Sequence, residues 1–162
     1  MDHNLDLLQT LMQKENEVVE ELLNLAEQEL EALKIDDLQS LTTITQKQHK
    51  ICQELTGLEK ERLQLQTVLS STYNLQPNFS LTELIAAIPE NQQLAALGQK
   101  LKRNYTSLKE LNGINSLLIK QSLSLTNKIL GALMPNRKPV VYGQSGTYEN
   151  SIPKTIKLDK SV

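Results

Sequence analysis

The sequence predicts an all-α protein, an antiparallel bundle or coiled coil of three long helices plus one short helix. Leu, Gln, Glu and Lys dominate, and these residues favour helices. Aromatic residues make up only 3% of the 162 residues and Trp is absent, so a core filled by large rings is not indicated. This length favours a single domain. We predict a helical bundle domain over residues 1–135 and a disordered, flexible C-terminal tail over residues 136–162.

The first two predicted helices form a hairpin. Apolar residues follow a three-four spacing through residues 2–34, without an intervening Gly or Pro. Asp36 and Asp37 then have the side chains that cap a following helix, and the short break favours an antiparallel pair. A loop is expected over residues 70–79. The positions of the second helix that should face the core, its seam, are Leu41, Ile44, Gln48, Ile51, Leu55, Leu58, Arg62, Leu65 and Leu69.

A short and a long helix follow this hairpin. Ser80 and Glu83 have the spacing of a capping box, which predicts a short helix over residues 81–88. A final helix over residues 90–134, roughly 65 Å long, is ended by Pro135. Its polar seam positions are expected either to fix the register or to mark a helix that exchanges partners. The seam of this helix is Leu94, Leu97, Leu101, Asn104, Leu108, Leu111, Asn115, Leu118, Ser122, Leu125 and Ile129.

Charge is unevenly distributed along the chain. The net charge of −2 gives no strong attraction to nucleic acid. Residues 1–34 carry nine acidic residues against Lys14 and Lys34, whereas residues 91–138 carry Glu110 against eight Lys and Arg. We therefore expect the first and last helices to lie side by side with oppositely charged rims.

No constellation for catalysis, metal binding or cofactor binding is present in the sequence. His3 and His49 fall on different predicted helices, and the single Cys52 can form neither an intramolecular disulfide nor a thiolate cluster. We interpret Cys52 as a small core residue beside the seam. A group of glutamates is interpreted as a solvated acidic face instead of a cation site: Glu15, Glu17, Glu20 and Glu21. We predict no enzymatic activity, no metal and no cofactor.

Nothing in the sequence predicts membrane insertion or secretion. No apolar run approaches the ~20 residues that span a bilayer. The N-terminal residues are acidic and lack the basic start and apolar stretch of a signal peptide. We expect a cytoplasmic protein.

The last helix has more apolar surface than its seam uses. A second stripe lies beside the seam, with Thr126 in line, and consists of Ile119, Leu123, Leu130 and Met134. A helix that touches two neighbours needs such a wide face, but so does one that binds a partner's amphipathic helix. Both interpretations remain open, and the second makes these four residues candidates for substrate binding.

The layout of the chain resembles the FlgN family of flagellar export chaperones. The resemblance rests on the order of elements and on the segment LNGINSLLIKQSL, with Asn112 and Asn115, followed by the Tyr-Gly-x-x-Gly of Tyr142, Gly143 and Gly146. It implies a cytoplasmic chaperone that holds the helical terminal segment of hook–filament junction proteins and delivers them to the flagellar type III export gate. It also implies substrate binding in the C-terminal part and makes Tyr142 and Gly143 candidates for docking to the gate's cytoplasmic domain.

Two other functions fit the pattern less well. A structural coiled-coil adaptor would self-associate through its seams, whereas the chaperone is expected to be a monomer or weak dimer. A helix protein that lies on lipid surfaces is disfavoured because the acidic first helix lacks aromatic anchors.

Overall fold

Four helices account for most of the chain. The computed structural model describes residues 3–134 and the backbone of two short segments, 141–142 and 148–149. The helices are α1 (His3–Lys34), α2 (Leu38–Thr72), α3 (Leu81–Ala87) and α4 (Gln92–Leu133). The prediction of an all-α fold with three long helices and one short helix is confirmed. The predicted loop over residues 70–79 begins later than expected, because α2 continues to Thr72, where the N–H of Tyr73 bonds to the carbonyl of Leu69.

The turn between α1 and α2 is short because two aspartates shape it. Asp36 adopts a left-handed backbone conformation, with φ of 54°, which Asp tolerates better than most residues. Asp37 caps α2: its carboxylate accepts hydrogen bonds from the backbone N–H of Ser40 at 3.1 Å and from the Ser40 hydroxyl at 2.5 Å. These bonds lower the pKa of Asp37. The cap and the turn together reverse the chain into the predicted hairpin.

The three long helices run up, down and up, with α1 packed along both of the others. Early α1 meets late α2 through Glu15 and Arg62, and late α1 meets early α2 through Glu29 and Gln48, so this pair is antiparallel. Helix α4 runs parallel to α1, because residues of α4 contact α1 in increasing order along both helices.

The core consists of two apolar clusters arranged along α1. The first packs the N-terminal half of α1 against the end of α2, against α3 and against the start of α4; its buried residues are Leu8, Leu11, Met12, Leu65, Leu69, Leu84, Ile85, Ile88 and Leu94. The second lies along the rest of α1; its buried residues are Val18, Val19, Leu22, Leu25, Ala32, Ile44, Ile51, Leu55 and Leu101. Most apolar seam positions of α2 lie in these clusters, as predicted.

Helix α3 closes one end of the bundle. The predicted capping box is present: the Ser80 hydroxyl accepts from the Glu83 N–H at 3.2 Å, and the Glu83 carboxylate accepts from the Ser80 N–H at 2.5 Å. Ile85 of α3 packs closely on Gly98 of α4, where an added Cβ would lie 2.8 Å from Ile85 Cδ1. The glycine thus permits the close approach of α3 to α4.

Two interpretations of individual residues are wrong. Glu15 does not belong to a solvated acidic face, since it is fully buried and paired with Arg62, whereas Glu17, Glu20 and Glu21 are exposed. Helical spacing alone does not reveal that a seam arginine of α2 faces this acid. Cys52 is exposed and not a core residue, because it lies just outside the face of α2 that α1 covers.

The C-terminal segment contains one regular feature among the described residues. Strand β1 (Val141–Tyr142) pairs antiparallel with β2 (Tyr148–Glu149), with Tyr142 opposite Tyr148. The prediction of disorder for the tail otherwise falls on residues outside those described. The domain division after residue 135 stays a prediction.

Candidate functional site

Three asparagines, of which Asn16 and Asn115 are buried, fix how α4 lies along α1. Asn104 donates to the side-chain oxygen of Asn16 at 3.1 Å, and Asn16 donates to the carbonyl of Leu97 at 3.2 Å. Further along, Asn115 donates to the carbonyl of Ala26 at 2.9 Å and to the carboxylate of Glu29 at 3.1 Å. These bonds suit only one register, so Asn104 and Asn115 do what polar seam residues do when they specify register.

Helix α4 extends well beyond the end of α1. The hydrogen bonds of Asn104 and Asn115 join these two α4 residues to α1 residues that lie 86 to 89 positions earlier in the sequence. At that offset Lys34, the last residue of α1, lies level with residues 120–123. We call residues 120–134 the overhang; at 1.5 Å per residue it is roughly 20 Å long. Because α2 begins only at Leu38, the α1–α2 hairpin ends at the base of the overhang.

The overhang exposes apolar side chains that the sequence assigned to the seam. Within the described helix α4 the buried residues are Leu94, Leu101 and Asn115, all before the overhang. Leu125 is 60% exposed, Ile129 51% and Leu133 72%. The seam prediction is therefore wrong for Leu125 and Ile129 as packing residues, because no part of α1 or α2 is level with them. It is also wrong for Ser122, which is exposed although it lies level with the end of α1.

The second stripe lies where the sequence placed it, beside the seam. Ile119 lies at the base of the overhang, and Leu123 and Leu130 lie within it; all three are half-buried. Met134, the C-cap residue, is 54% exposed. At 100° per residue the stripe and the seam together cover about half of the helix circumference. The overhang is thus amphipathic over a width that suits a docked helix.

The hairpin tip adds apolar surface at the same end of the bundle. Ile35 is 73% exposed and Leu38 67%. Both lie in or next to the turn that follows α1, and so at the level where the overhang begins. Sequence reasoning missed these two residues, although their position beside the capping Asp36 and Asp37 marks them as turn residues.

A shallow depression marks the side of the overhang next to the stripe. Its lining consists of Lys120, Leu123, Ser124, Asn127 and Lys128. Both lysines are exposed. In the sequence, residues 111–134 contain these two cations and no Asp or Glu. The apolar face of the overhang therefore has a basic border.

A comparison with protein families decides what kind of protein carries this site. The family model described as FlgN protein matches residues 1–150. The chain belongs to the FlgN family. Comparisons with curated proteins and with solved structures found no match. The recognised resemblance is thereby confirmed: the chain is a flagellar export chaperone, and binding of flagellar export substrates follows from its family.

The FlgN match extends past the bundle into the segment that holds Tyr142 and Gly143. Tyr142 lies in β1, opposite Tyr148 of β2. Gly143 lies outside the described residues. The proposed role of these two residues in docking to the export gate thus stays a prediction.

Two other kinds of site are absent from the part of the chain that the structure describes. Across residues 3–134 no helix is both long and apolar enough to cross a membrane. The same residues contain no group of three or more His, Cys, Asp or Glu side chains placed to hold a metal ion.

Proposed function

We propose that this FlgN-family chaperone acts in the cytoplasm, without catalysis or cofactor, and holds the helical terminal segment of hook–filament junction proteins on the overhang. It then delivers them to the cytoplasmic domain of the flagellar type III export gate. The observation that carries the proposal is the exposure of Leu125, Ile129 and Leu133 on a helix end that extends beyond its bundle. Because the family binds export substrates, an exposed amphipathic helix is the surface best suited to that task.

The overhang offers enough apolar surface for useful affinity. Fully burying a Leu or Ile side chain stabilises a complex by about 1.5–3 kcal/mol. Three such side chains, with the partly buried stripe beside them, would offset the cost of association and support micromolar or tighter binding. Its residues from Ser124 onward lie beyond the level of Lys34, so a partner helix could contact them without disturbing the core of the bundle.

Paired substitutions on the stripe test this docking surface. Leu123→Glu with Leu130→Glu should abolish capture of purified junction protein in a titration while helicity and melting temperature stay nearly unchanged. The matched control is Leu63→Glu with Val68→Glu, because these α2 residues are 56% and 55% exposed and lie away from the overhang. The control should bind as the wild type does. Full binding by the stripe variant would contradict the proposal.

A second pair of substitutions tests the docking surface if the stripe variant unfolds. Unfolding of that variant would show that Leu123 and Leu130 are needed for the fold. Leu125→Glu with Ile129→Glu alters side chains that are more than half exposed. This pair should keep the fold and lose substrate binding. A folded variant that still binds substrate fully would exclude the overhang as the docking surface.

Docking to the gate is assigned to a separate segment. Tyr142 and Gly143 follow the helix end and fit the Tyr-Gly pattern of the resemblance. Loss of an aromatic anchor commonly weakens an interface by about 2 kcal/mol or more, roughly thirtyfold in affinity. Tyr142→Ala should therefore weaken binding to the purified gate domain and reduce secretion, while substrate binding stays unchanged. Tyr148→Ala is the matched control and should matter less. Equal gate affinity for the wild type and Tyr142→Ala would refute the role.

The alternative function is a structural adaptor that self-associates. The specific observation in its favour is that exposed seam residues such as Leu125 could also pair with a second copy. A mass measurement in solution separates the two: a stable oligomer supports the adaptor, and a monomer or weak dimer supports the chaperone.

A further inference from the structure

The charge on α4 is matched by an acidic neighbour along most of its length. Helix α1 carries most of the acidic residues of residues 1–34, and α4 is basic. The two helices are joined at their rim by Lys100 and Glu20, 2.6 Å apart, and this cation lowers the pKa of Glu20. The surface of α1 that covers α4 is therefore an apolar face with acidic borders.

The overhang continues the same pattern without the neighbour. Lys128 lies immediately before the seam residue Ile129, as Lys100 lies before Leu101, so it occupies the same rim of the helix as Lys100. Lys120 lies on the opposite side, 180° from Ile129 at 100° per residue. Residues 111–134 supply no acid that could pair with Lys128 along the helix. The seam position Leu125 prolongs the line of residues that faces α1 earlier in α4. A helix that covers the overhang along this line would thus take the place that α1 leaves after Lys34.

A second copy of the chain is a poor occupant of this surface. Two overhangs packed face to face would bring Lys128 of both copies to one interface, where neither copy provides an Asp or Glu between residues 111 and 134. Like charges at an interface oppose association. The basic border therefore disfavours self-association and favours a partner of opposite charge.

We propose that the overhang selects an amphipathic helix with acidic flanks, which continues the line of α1 and abuts the exposed Ile35 and Leu38 at the hairpin tip. This inference rests on the proposed function and specifies its substrate class. Lys128 is the residue that determines specificity, and the apolar face supplies most of the affinity. The charges act at exposed rims, so they discriminate between partners more than they stabilise the complex.

Two synthetic peptides provide the probe. Both are amphipathic helices of about 18 residues, long enough to cover the overhang, with identical Leu positions. One carries Glu at the flanking positions and the other carries Lys. The wild-type chain should bind the Glu peptide about fivefold more tightly than the Lys peptide, as expected for one rim pair. This ratio should fall as salt is raised.

Charge reversal on the chain supplies the matched variants. Lys128→Glu should invert the preference, so that the Lys peptide binds more tightly. Lys109→Glu makes the same charge change on an exposed residue of the same helix, but Lys109 lies more than a Debye length of about 8 Å from the overhang. This control should keep the wild-type preference.

Each outcome bears on a different claim. Equal affinity of the two peptides for the wild type, or an unchanged preference after Lys128→Glu, overturns the charge selection. If both peptides nevertheless bind the wild type and lose binding to Leu123→Glu with Leu130→Glu, the overhang remains the docking surface. If the wild type binds neither peptide, both proposals are contradicted.

Discussion

Arg62 of α2 donates from Nε to both carboxylate oxygens of Glu15 on α1, at 3.0 Å and 2.8 Å. Glu15 is fully buried, and the side chain of Arg62 is only 13% exposed. Arg62 also donates from Nη1 to Gln66 at 3.0 Å. A buried carboxylate needs such a partner, since desolvation of an isolated charge costs several kcal/mol. This pair links α1 to α2 between the two apolar clusters.

Removing the arginine should destabilise the bundle strongly. We expect Arg62→Met to lower the free energy of unfolding by about 3–5 kcal/mol, because it leaves Glu15 buried without its cation. Urea unfolding followed by circular dichroism measures the change. Lys100→Ala is the control: it breaks an ion pair with Glu20 that is about half exposed, and the effect should be small. A mild effect of Arg62→Met would show that water or another group stabilises Glu15.

The same pair predicts a pH dependence. Burial, the largest cause, and the nearby Glu59 carboxylate together raise the pKa of Glu15 more than Arg62 lowers it. A carboxyl group whose pKa is higher in the folded state stabilises the fold at low pH, and this contribution is lost as pH rises through the folded-state pKa. Without Arg62 the pKa of Glu15 should rise further. Arg62→Met should therefore regain part of its lost stability between about pH 7 and about pH 5. A stability deficit that is constant over this range would contradict the assignment.

Replacement by Leu should lower the stability of the fold at Asn104 but not at Asn115. Asn104→Leu leaves the side-chain oxygen of buried Asn16 without its donor, which should cost about 1–3 kcal/mol. Among the described residues, the side-chain oxygen of Asn115 is buried without a partner, and Glu29 retains Gln48 as a donor at 3.0 Å. Asn115→Leu should therefore leave stability unchanged or raise it. Thermal melts of the two variants, compared with the wild type, give the sign of each effect.

Replacement by Ala should change the stability of the fold differently at three helical glycines. An added Cβ at Gly57 or Gly113 would meet no atom within 4 Å, so Gly57→Ala and Gly113→Ala should each raise the free energy of unfolding by about 0.5–1 kcal/mol. At Gly98 the added Cβ would meet Ile85 Cδ1 at 2.8 Å, and the contact between α3 and α4 should loosen. Gly98→Ala should gain less stability than the other two or lose some. Equal gains at all three positions would contradict the packing of α3.

Helix number and helix boundaries could be predicted from the sequence because local signals specify them. Ser80 and Glu83 form the predicted capping box, and Asp37 caps α2. The acidic and basic halves also predicted that α1 and α4 would pack together, as Lys100 and Glu20 show. Each of these features depends on residues close in sequence or on summed charge.

Features that depend on the length of a neighbouring helix could not be predicted from local sequence signals. A three-four spacing shows which face of a helix is apolar but not how far the partner helix runs alongside it. Leu125 and Ile129 continue the seam of α4, yet they are exposed because α1 ends at Lys34. Likewise, the burial of Glu15 depends on Arg62 being opposite it, 47 residues away in sequence.

Hydrogen–deuterium exchange with and without a purified hook–filament junction protein tests the central claim most directly. The account predicts that amides of residues 120–133 exchange quickly in the free chaperone and gain protection on binding. Amides near Leu55 and Leu101, which lie in the core, should change little. A complex that forms without added protection in residues 120–133, or with protection confined to α2, would contradict the assignment of the overhang as the substrate-binding surface.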